Sequence, residues 1–583
     1  MARTVTASDG VTLAVYAYTE IDPRRPTILA VHGYPDNHRV WDGVAAELDQ
    51  RYPAKYNVVA YDVRGAGESS RPASRSGYKL PQLVSDVGAV IDSLGVDQVH
   101  LLGHDWGSIQ GWTAVTDDSV LGRIASFTSI SGPHLAYAGR FLRSPRTSRA
   151  VADVARQVLA SSYIWLFLFP VAPEIAIRSR AQVKVLEAIE HIGRSSIRSQ
   201  HRASPRSLDD YLNGLNLYRA NMPAPFLASP ARLPQAGVPV QVLVARQDYF
   251  VTPALQRFTG SIPAEHRIVP IEGGHWVVTS RPDVIARLTG EWVDMITEGV
   301  APAGESTQPR SVPGTLALVT GAGAGIGRAT AVELARQGAR AVVMVDRDLA
   351  GANDTAEEVR AAGAEAAVYQ ADVSDEAAMN ELAAQVRNHH GVVDILINNA
   401  GIGMAGRFLE TTAEHWDTII GVNVRGVING SRAFGAQMVE RGQGGTIINV
   451  ASAAAYVPSK SMVAYGTTKA AVLALSESMR ADFADEGITV TAVCPGFVNT
   501  NIAKSTVYAG LTAEQQERAR ARADAAYRRR NYTPEATAKA IVRAVRAGPA
   551  VLPVAAESRL GYALRRISPS LVRLFARFDI RQT

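Results

Sequence analysis

Two glycine-flanked turns constrain this chain more than any other feature in it. Gly103-His104-Asp105-Trp106-Gly107-Ser108 and Thr320-Gly321-Ala322-Gly323-Ala324-Gly325-Ile326-Gly327 each follow a short apolar run, and each opens a helical pattern. A strand that turns sharply into a helix is the repeating unit of a parallel α/β sheet, and both turns sit within longer alternations of β-rich runs and helical stretches. Between them lies TEGVAPAGESTQPRSVP, residues 297–313, rich in Pro, Gly, Ser and Thr and without apolar periodicity, which is the composition of a flexible linker. A chain of 583 residues is also too long for one ordinary core. The expectation is two α/β domains, residues 1–296 and 314–550, joined by the linker 297–313 and followed by a tail, 551–583. The halves carry different motifs and are not repeats of one another.

In the first half, residues 4–18 read as a hairpin around Asp9-Gly10, and strands are expected at 27–31, 58–61, 99–102, 127–130, 240–244 and 267–270. From about 133 to 235 this rhythm gives way to helical, Arg-rich and aromatic sequence, so a helical cap is expected there, at the strand ends where ligands bind. In the second half, strands are expected at 316–320, 341–345, 367–369, 395–397, 447–450 and 490–493, six βα units in all. In the tail, Leu560, Leu564, Ile567, Leu571, Leu574, Phe575 and Phe578 fall near helical spacing, with Arg565, Arg566, Arg573 and Arg577 between them and Pro569 dividing two short helices.

Composition narrows the functional classes. Hydrophobic residues at 47% and charged residues at 20% exclude wholesale disorder. A single cysteine, Cys494, excludes a disulfide framework and a multi-cysteine metal site; it reads as a small buried hydrophobe, and no metal is expected. The first residues lack the basic and apolar regions of a signal peptide, and the longest apolar run, 163–173, is about half the ~20 residues of a membrane span. A soluble, cytoplasmic protein is therefore expected. The net charge of +5 is clustered: residues 133–233 hold fourteen Arg/Lys against six Asp/Glu, and 557–583 hold six Arg against two acids. Neither stretch has a zinc finger, RNP strand or helix-turn-helix pattern, so nucleic acid is not an expected partner. An anionic membrane or amphiphile surface suits them better, and the tail is expected to make any peripheral contact with the inner membrane face.

The first turn carries a carboxylate nucleophile. Small residues two positions either side of Asp105 permit the bend that exposes it, and a carboxylate attacks carbon to form an alkyl-enzyme ester, which suits epoxides or alkyl halides better than amides. Asp248 follows the strand at 240–244, where an orienting acid is expected, and His275, in Gly273-Gly274-His275-Trp276, follows the next strand as the base. His32-Gly33-Tyr34-Pro35 ends another strand, where a backbone N–H joins that of Trp106 in an oxyanion hole. HGYPDN, YDVRGAGES, GHDWG, RQDYFVTP and GGHW together resemble the epoxide hydrolase branch of the α/β-hydrolase superfamily over about residues 5–296. The resemblance implies two cap tyrosines that hold the epoxide oxygen. Tyr218 matches one setting. Tyr163 resembles the other, although Leu168 or Phe169 stands where Gln is usual, and Tyr211 competes for the role. In the implied mechanism Asp105 attacks, the tyrosines assist ring opening, and His275, oriented by Asp248, activates water against the ester while the N–H groups of Tyr34 and Trp106 hold the oxyanion. The product is a vicinal diol. Haloalkane dehalogenation is the neighbouring alternative, because Trp106 also occurs there as a halide donor; Tyr34, where Asn or Trp is usual, weakens it.

The second turn opens a dinucleotide site. Glycines let the backbone approach a pyrophosphate, and the helix N-terminus supplies N–H groups and positive dipole. Asp346 ends the second strand, where a carboxylate accepts ribose hydroxyls and repels a 2′-phosphate; Arg347 beside it leaves NADP open while NAD is favoured. Tyr465 and Lys469, four apart, share a helix face, and an ammonium beside a phenol is expected to lower the phenol's pKa towards working pH. Ser452 ends a strand and orients the carbonyl or alcohol, and Asn423 is placed to hold the lysine through water. These residues resemble a short-chain dehydrogenase/reductase over about residues 312–547. The resemblance adds Asn399, Asp372 and Val373 as strand-stabilising and adenine-side positions, Pro495, Gly496 and Thr500 as the nicotinamide loop, and Gly321, Gly325, Ile326 and Gly327 as the turn itself. It also implies a homo-oligomer through this domain. Overall the fold class is α/β, an α/β-hydrolase fold with a helical cap followed by a Rossmann-type doubly wound parallel sheet. A lipid-like epoxide or alcohol is the expected substrate, opened to a diol and then oxidised. The alternatives are two unrelated activities on one polypeptide, or a lipid-binding scaffold.

Overall fold

In a computed structural model the chain is described over residues 2–143, 145, 147–192, 205–224, 230–299, 311–500, 502–530 and 532–576. It divides into two compact units, Met1–Pro302 and Ala303–Thr583. Most of the linker, together with Arg577 and Phe578 of the tail pattern, lies outside the described residues.

The first unit is built on eight strands: β1 (Ala2–Thr6), β2 (Thr12–Ala17), β3 (Thr27–Val31), β4 (Asn57–Tyr61), β5 (Val99–His104), β6 (Ile124–Ile130), β7 (Val240–Ala245) and β8 (His266–Ile271). They lie in the order β1-β2-β4-β3-β5-β6-β7-β8. The hairpin β1–β2 is antiparallel, β2 runs antiparallel to β4, and every later pairing is parallel. Residues of β3, β4, β5 and β7 are buried throughout, as strands covered on both faces must be, which is why they read as continuous apolar runs. The expected strands are all present and most extend by one to three residues; the fourth begins at Ile124 rather than Phe127. Between β6 and β7 the chain leaves the sheet for the cap, whose helices include Ser148–Ala160, Tyr163–Leu168, Ala172–Arg178 and Leu208–Asn221. The last is started by a reciprocal cap, Ser207 Oγ accepting the Asp210 N–H and the Asp210 carboxylate accepting the Ser207 N–H.

The second unit has seven main strands: β9 (Leu316–Thr320), β10 (Ala341–Asp346), β11 (Glu365–Gln370), β12 (Ile395–Asn398), β13 (Gly445–Val450), β14 (Ile488–Pro495) and β15 (Val551–Val554). All are parallel, in the order β11-β10-β9-β12-β13-β14-β15, so the strand order reverses between β9 and β12 and opens a crevice at their carboxyl ends. One expectation is corrected here. The tail was expected to begin at 551, after six strands. Instead Val551–Val554 is a seventh strand, in register with β14 from Ala492↔Val551 to Pro495↔Val554. Pro553 hides it in the sequence, since proline is excluded from central strands; at an edge its missing N–H costs nothing and blunts further pairing. The helices Ala556–Ile567 and Pro569–Phe575 follow, divided at Pro569 as its chemistry requires.

Candidate active sites

Asp105 sits at φ 50° and ψ −119°, a conformation side chains rarely adopt, between β5 and the helix Trp106–Ala114. Its neighbours are small by necessity. A Cβ on Gly107 would lie 2.0 Å from the Val31 carbonyl oxygen, and one on Gly132 would lie 2.1 Å from that of Asp105. Asp105 Oδ2 accepts the Tyr34 N–H at 2.8 Å, and the N–H of Trp106 also favours the ionised carboxylate, so Asp105 faces both expected oxyanion donors. His275 Nε2 stands 3.9 Å from Asp105 Oδ1, and its Nδ1 is 3.1 Å from each oxygen of Asp248. Asp248 is held in turn by the N–H groups of Phe250 and Val251 and by Gln256 Nε2.

Charge in this cluster is finely opposed. Burial pushes Asp105 up to about 6, although facing His275 and the two N–H groups pull the other way. Burial alone would depress His275, but the carboxylates of Asp248 and Asp105 outweigh it and raise the imidazole to about 9. Burial likewise opposes ionisation of Asp248, yet His275 and the loop N–H groups hold it below the usual carboxylate range. A cavity of about 10 Å³, roughly the room one water needs, touches His275 together with Glu190, Gln247, Phe250 and Trp276.

Of the candidate tyrosines, Tyr218 and Tyr163 come together. Their ring centroids are 6.0 Å apart, and both feel the charge of Asp105. Tyr218 packs edge-on against Trp106 at 5.0 Å and Tyr34 at 5.5 Å. Burial holds both phenols protonated, well above the ordinary tyrosine value. Tyr211 lies farther out, 6.4 Å from the Tyr34 ring, with its hydroxyl turned to Arg206.

The sequence reading missed the residues that tie the cap to this site. Arg206 bridges Asp36 at 2.7 Å and Glu190 at 2.8 Å, Trp276 Nε1 donates to Asp36 at 3.0 Å, and the charged side chains are nearly inaccessible. Gln157 of the cap donates to the Phe250 carbonyl and accepts the Thr252 N–H, bracing the loop that carries Asp248. Arg206 belongs to an arginine-rich stretch that reads as solvated surface, so its burial had no local signal.

In the second unit a cleft of about 680 Å³ is lined by Gly321, Gly325, Ile326, Asp346, Arg347, Asp372, Val373 and Asn399 on one side, and by Ser452, Tyr465, Lys469, Pro495, Gly496 and Thr500 on the other. A Cβ on Gly327 would lie 2.0 Å from the Gly321 carbonyl oxygen, so only glycine closes this turn against the helix Gly325–Arg336. Asp346 Oδ2 accepts the Gly323 N–H at 2.8 Å, which fixes the carboxylate at the turn. Arg347 leans 3.6 Å from Asp372 rather than towards the turn. Asn399 Nδ2 donates to the carbonyls of Thr320 and Gly321, clamping β9 beside β12. Val373 packs beneath Gly426, and its carbonyl accepts Asn429 Nδ2.

Tyr465 and Lys469 project from the helix Val463–Asp482. Tyr465 is hydrogen-bonded to Ser452, and Lys469 Nζ donates to the Val450 carbonyl at 2.9 Å and lies 5.9 Å from the Tyr465 ring centre. Asn423, in a π-helical turn, accepts the Ile402 N–H at 2.8 Å; its Oδ1 and Lys469 Nζ both border Gly401. The expected direction of the Tyr465 shift is corrected. Burial raises this phenol, and its Ser452 hydrogen bond only partly offsets that. Burial brings Lys469 itself down to about 8, against a smaller opposing pull from Cys494. Burial also pushes the Cys494 thiol up to about 12, leaving it protonated. Glu557, at the start of the terminal helices, lines the cleft and accepts the Phe497 N–H at 2.9 Å.

A family model for the alpha/beta hydrolase fold matches residues 26–165, and one for short chain dehydrogenases matches residues 315–509. A Mycobacterium tuberculosis (strain H37Rv) protein described as "Probable oxidoreductase EphD" is 39% identical over 596 aligned positions, covering 100% of this chain and 99% of its own. The chain belongs to the EphD family. Membership covers both units, so the pairing of a hydrolase-fold domain with a short-chain dehydrogenase is a family property. The dehydrogenase part alone is similar to 2,3-dihydro-2,3-dihydroxybenzoate dehydrogenase of Bacillus subtilis, 35% identical over 193 residues, 33% of this chain and 73% of that one. A short-chain dehydrogenase/reductase from Burkholderia phymatum in complex with NAD aligns at 31% identity and TM-score 0.42, covering 46% of this chain and 96% of the other.

Proposed function

We propose that the first unit of this EphD-family chain opens epoxides to vicinal diols and that the second exchanges hydride with an alcohol or ketone, both on lipid-like substrates. The observation that carries the first half is the convergence of Asp105, paired with His275–Asp248, with the protonated phenols of Tyr163 and Tyr218. Asp105 attacks an epoxide carbon, the C–O bond breaks, and a phenol gives its proton to the departing oxygen, leaving a hydroxyalkyl ester. Esterification removes one of the three negative charges that raise His275, so the imidazole pKa falls just when a base is needed. The imidazolium proton passes through solvent to the phenolate, so neutral His275 then takes a proton from water, hydroxide adds to the ester carbonyl, and the N–H groups of Tyr34 and Trp106 hold the oxyanion; its collapse expels the diol oxygen, which takes the proton back from His275. Dehalogenation fits less well, because Tyr34 stands where a second halide donor is usual and two buried phenols face Asp105.

For the second half, the glycine turn, the helix N-terminus and Asp346 suit the pyrophosphate and adenosine ribose of NAD, and a carboxylate at that position disfavours the 2′-phosphate of NADP. When bound, the nicotinamide supplies or takes the hydride. Ser452 orients the substrate oxygen, Tyr465 gives or takes its proton, and Lys469, held by Val450, stabilises the phenolate. A vicinal diol carries the carbinol such a site oxidises, so the reading joins the halves in sequence, epoxide to diol to hydroxyketone. The dehydrogenase domain is read as the oligomerising unit. The basic terminal helices, with Leu560, Ile567, Leu571 and Leu574 exposed, suit peripheral lipid contact; no single helix among the described residues is long and apolar enough to cross a membrane.

The test is mass-spectrometric product analysis with a long-chain epoxy fatty acid and NAD, beside an Asp105→Asn control. Diol and hydroxyketone, both absent in the control, are expected. Absence of diol with the wild type refutes the hydrolase reading, and diol without hydroxyketone refutes the sequence.

A further inference from the structure

The cap helix Tyr163–Leu168 has two apolar faces, and only one of them is used. Its inner face carries Tyr163, Ile164 and Phe167 into the core beside Tyr218 and Tyr34. Its outer face and the corner that follows turn large apolar side chains to solvent: Trp165 is 55% exposed, Phe169 61%, Val171 62% and Ile175 62%. Leu159, one turn earlier, is 75% exposed. Apolar residues scattered singly on a surface need no explanation, but a tryptophan, a phenylalanine and three aliphatics within seventeen residues form a patch. The corner is rigidly made. Arg219 donates to the carbonyls of Phe167 and Phe169 and pairs with Glu174, so the exposed side chains project from a braced turn.

Two further observations say what covers the patch. The first is charge: Arg149, Arg156, Arg178, Arg180 and Lys184 are exposed on the same run of helices, whereas of its four acids Glu174 is paired with Arg219 and Glu190 is buried against Arg206, so that Asp153 and Glu187 stand against five exposed cations. The second is shape: Ser148–Leu168 and Ala172–Arg178 together are as apolar as a membrane span, yet they meet at 93°. A bent apolar corner ringed by cations suits shallow insertion at a lipid–water interface, with aromatics at headgroup depth and cations on anionic headgroups. A second copy of the cap suits it poorly, because a two-fold contact would set these cations against their own equivalents.

We propose that this corner of the cap docks the protein on an anionic bilayer, so that an amphiphilic substrate enters the hydrolase site from the lipid side. Docking stands on the surface itself; only its use as a substrate route rests on the epoxide reading. The helix that would lie on the lipid is the one that holds Tyr163 over the nucleophile, so the path from membrane to chemistry is one helix thick.

The test is flotation of the full-length protein with phosphatidylcholine vesicles, with and without about 30% phosphatidylglycerol, at low and high salt. Wild type, Trp165→Ser/Phe169→Ser and the tail variant Leu571→Ser/Leu574→Ser are compared, with thermal unfolding as the check on folding. Binding to the anionic vesicles, weakened by salt and lowered about tenfold or more in the cap variant, is expected. Turnover of a small water-soluble epoxide should be equal in wild type and cap variant. If neither protein turns it over while flotation behaves as expected, the epoxide reading fails and the docking stands. Flotation of the cap variant equal to wild type, loss in the tail variant alone, no binding of wild type to anionic vesicles, or a halved assembly size for the cap variant would each overturn the docking.

Discussion

Gly33→Ala is the substitution that most sharply tests the geometry of the hydrolase site. Gly33 precedes Tyr34, and a Cβ at this position would lie 2.5 Å from both the Cβ and Oδ2 of Asp105 and 2.7 Å from the Trp106 nitrogen. Ordinary contact begins near 3.4 Å, so the methyl and its neighbours must part by about 1 Å. None of those neighbours is a flexible side-chain end. Asp105 is held at a strained backbone position, and its Oδ2 already accepts the Tyr34 N–H at 2.8 Å. The carboxylate must leave that donor, or the loop must carry the donor away. A displacement of ~1 Å at a reacting group costs about 10²-fold, and losing one oxyanion donor costs about 10²–10³-fold, or ~3–4 kcal/mol. Overpacking adds roughly 1–3 kcal/mol of destabilisation, confined to the first unit. The assay is rapid quenching with styrene oxide and intact-mass detection of the Asp105 adduct, normalised to protein competent to bind NADH by nicotinamide fluorescence. Adduct formation should fall at least about 10²-fold while NADH binding is unchanged. A variant alkylated within about threefold of wild type would refute the argument, by showing that the turn yields without disturbing the donors.

Alkylation needs Asp105 ionised, so its rate should be level above about pH 6 and fall tenfold per unit below it; a profile that bends near pH 4 contradicts the burial argument. The same shift carries a sign for stability: a carboxyl whose folded pKa exceeds its unfolded 3.8 keeps its proton longer when folded, so its ionisation costs stability as pH rises through about 6. The shift is worth up to about 3 kcal/mol, so Asp105→Asn should gain in melting temperature relative to wild type on going from pH 4 to pH 8. Tyr465→Phe should abolish alcohol oxidation and leave NADH fluorescence titrations unchanged; retained turnover removes Tyr465 from the chemistry. In Gly327→Ala the new methyl would meet the Gly321 carbonyl oxygen at 2.0 Å. NADH binding should weaken more than about tenfold with styrene oxide hydrolysis intact, and unweakened binding would mean the turn does not hold the cofactor.

What was legible in the sequence was what is encoded locally. Buried parallel strands such as Thr27–Val31 and Leu316–Thr320 are continuous apolar runs, and both glycine turns announce themselves because a Cβ at Gly107 or Gly327 has nowhere to go. Asp105, Asp248 and His275 were legible because each ends or follows a strand of the same sheet. Arg206 was not: its partners Asp36 and Glu190 are distant or on another helix, and only the fold removes all three from water. Tyr163 could not be separated from Tyr211 by sequence, since both sit on cap helices; that Tyr163 packs on Tyr218 while Tyr211 turns to Arg206 is a tertiary fact. Glu557 escaped because the strand before it contains Pro553, so the residues around it read as an appended tail rather than the wall of a cleft. The direction of the Tyr465 shift failed for a different reason, because spacing along a helix shows proximity to Lys469 but not the depth of burial they share.

Burial acts oppositely in the two sites, and the difference follows their chemistry. In the hydrolase it raises the nucleophile while three carboxylates, Asp248, Asp105 and Asp36, hold His275 as a cation. In the proposed mechanism that arrangement stores charge that the first step would release: with Asp105 esterified, the imidazole would lose a facing anion and become able to act as a base. In the dehydrogenase the strongest contact to Lys469 is a neutral carbonyl, and burial brings it to about 8, close to working pH. A phenol and an amine that are both costly to charge gain most when a proton passes between them and the substrate oxygen, because neither state is then trapped. On the proposed ester mechanism, the first site is therefore set to run in one direction. The dehydrogenase has no such commitment in its charges, and its direction is left to the redox state of the cofactor pool.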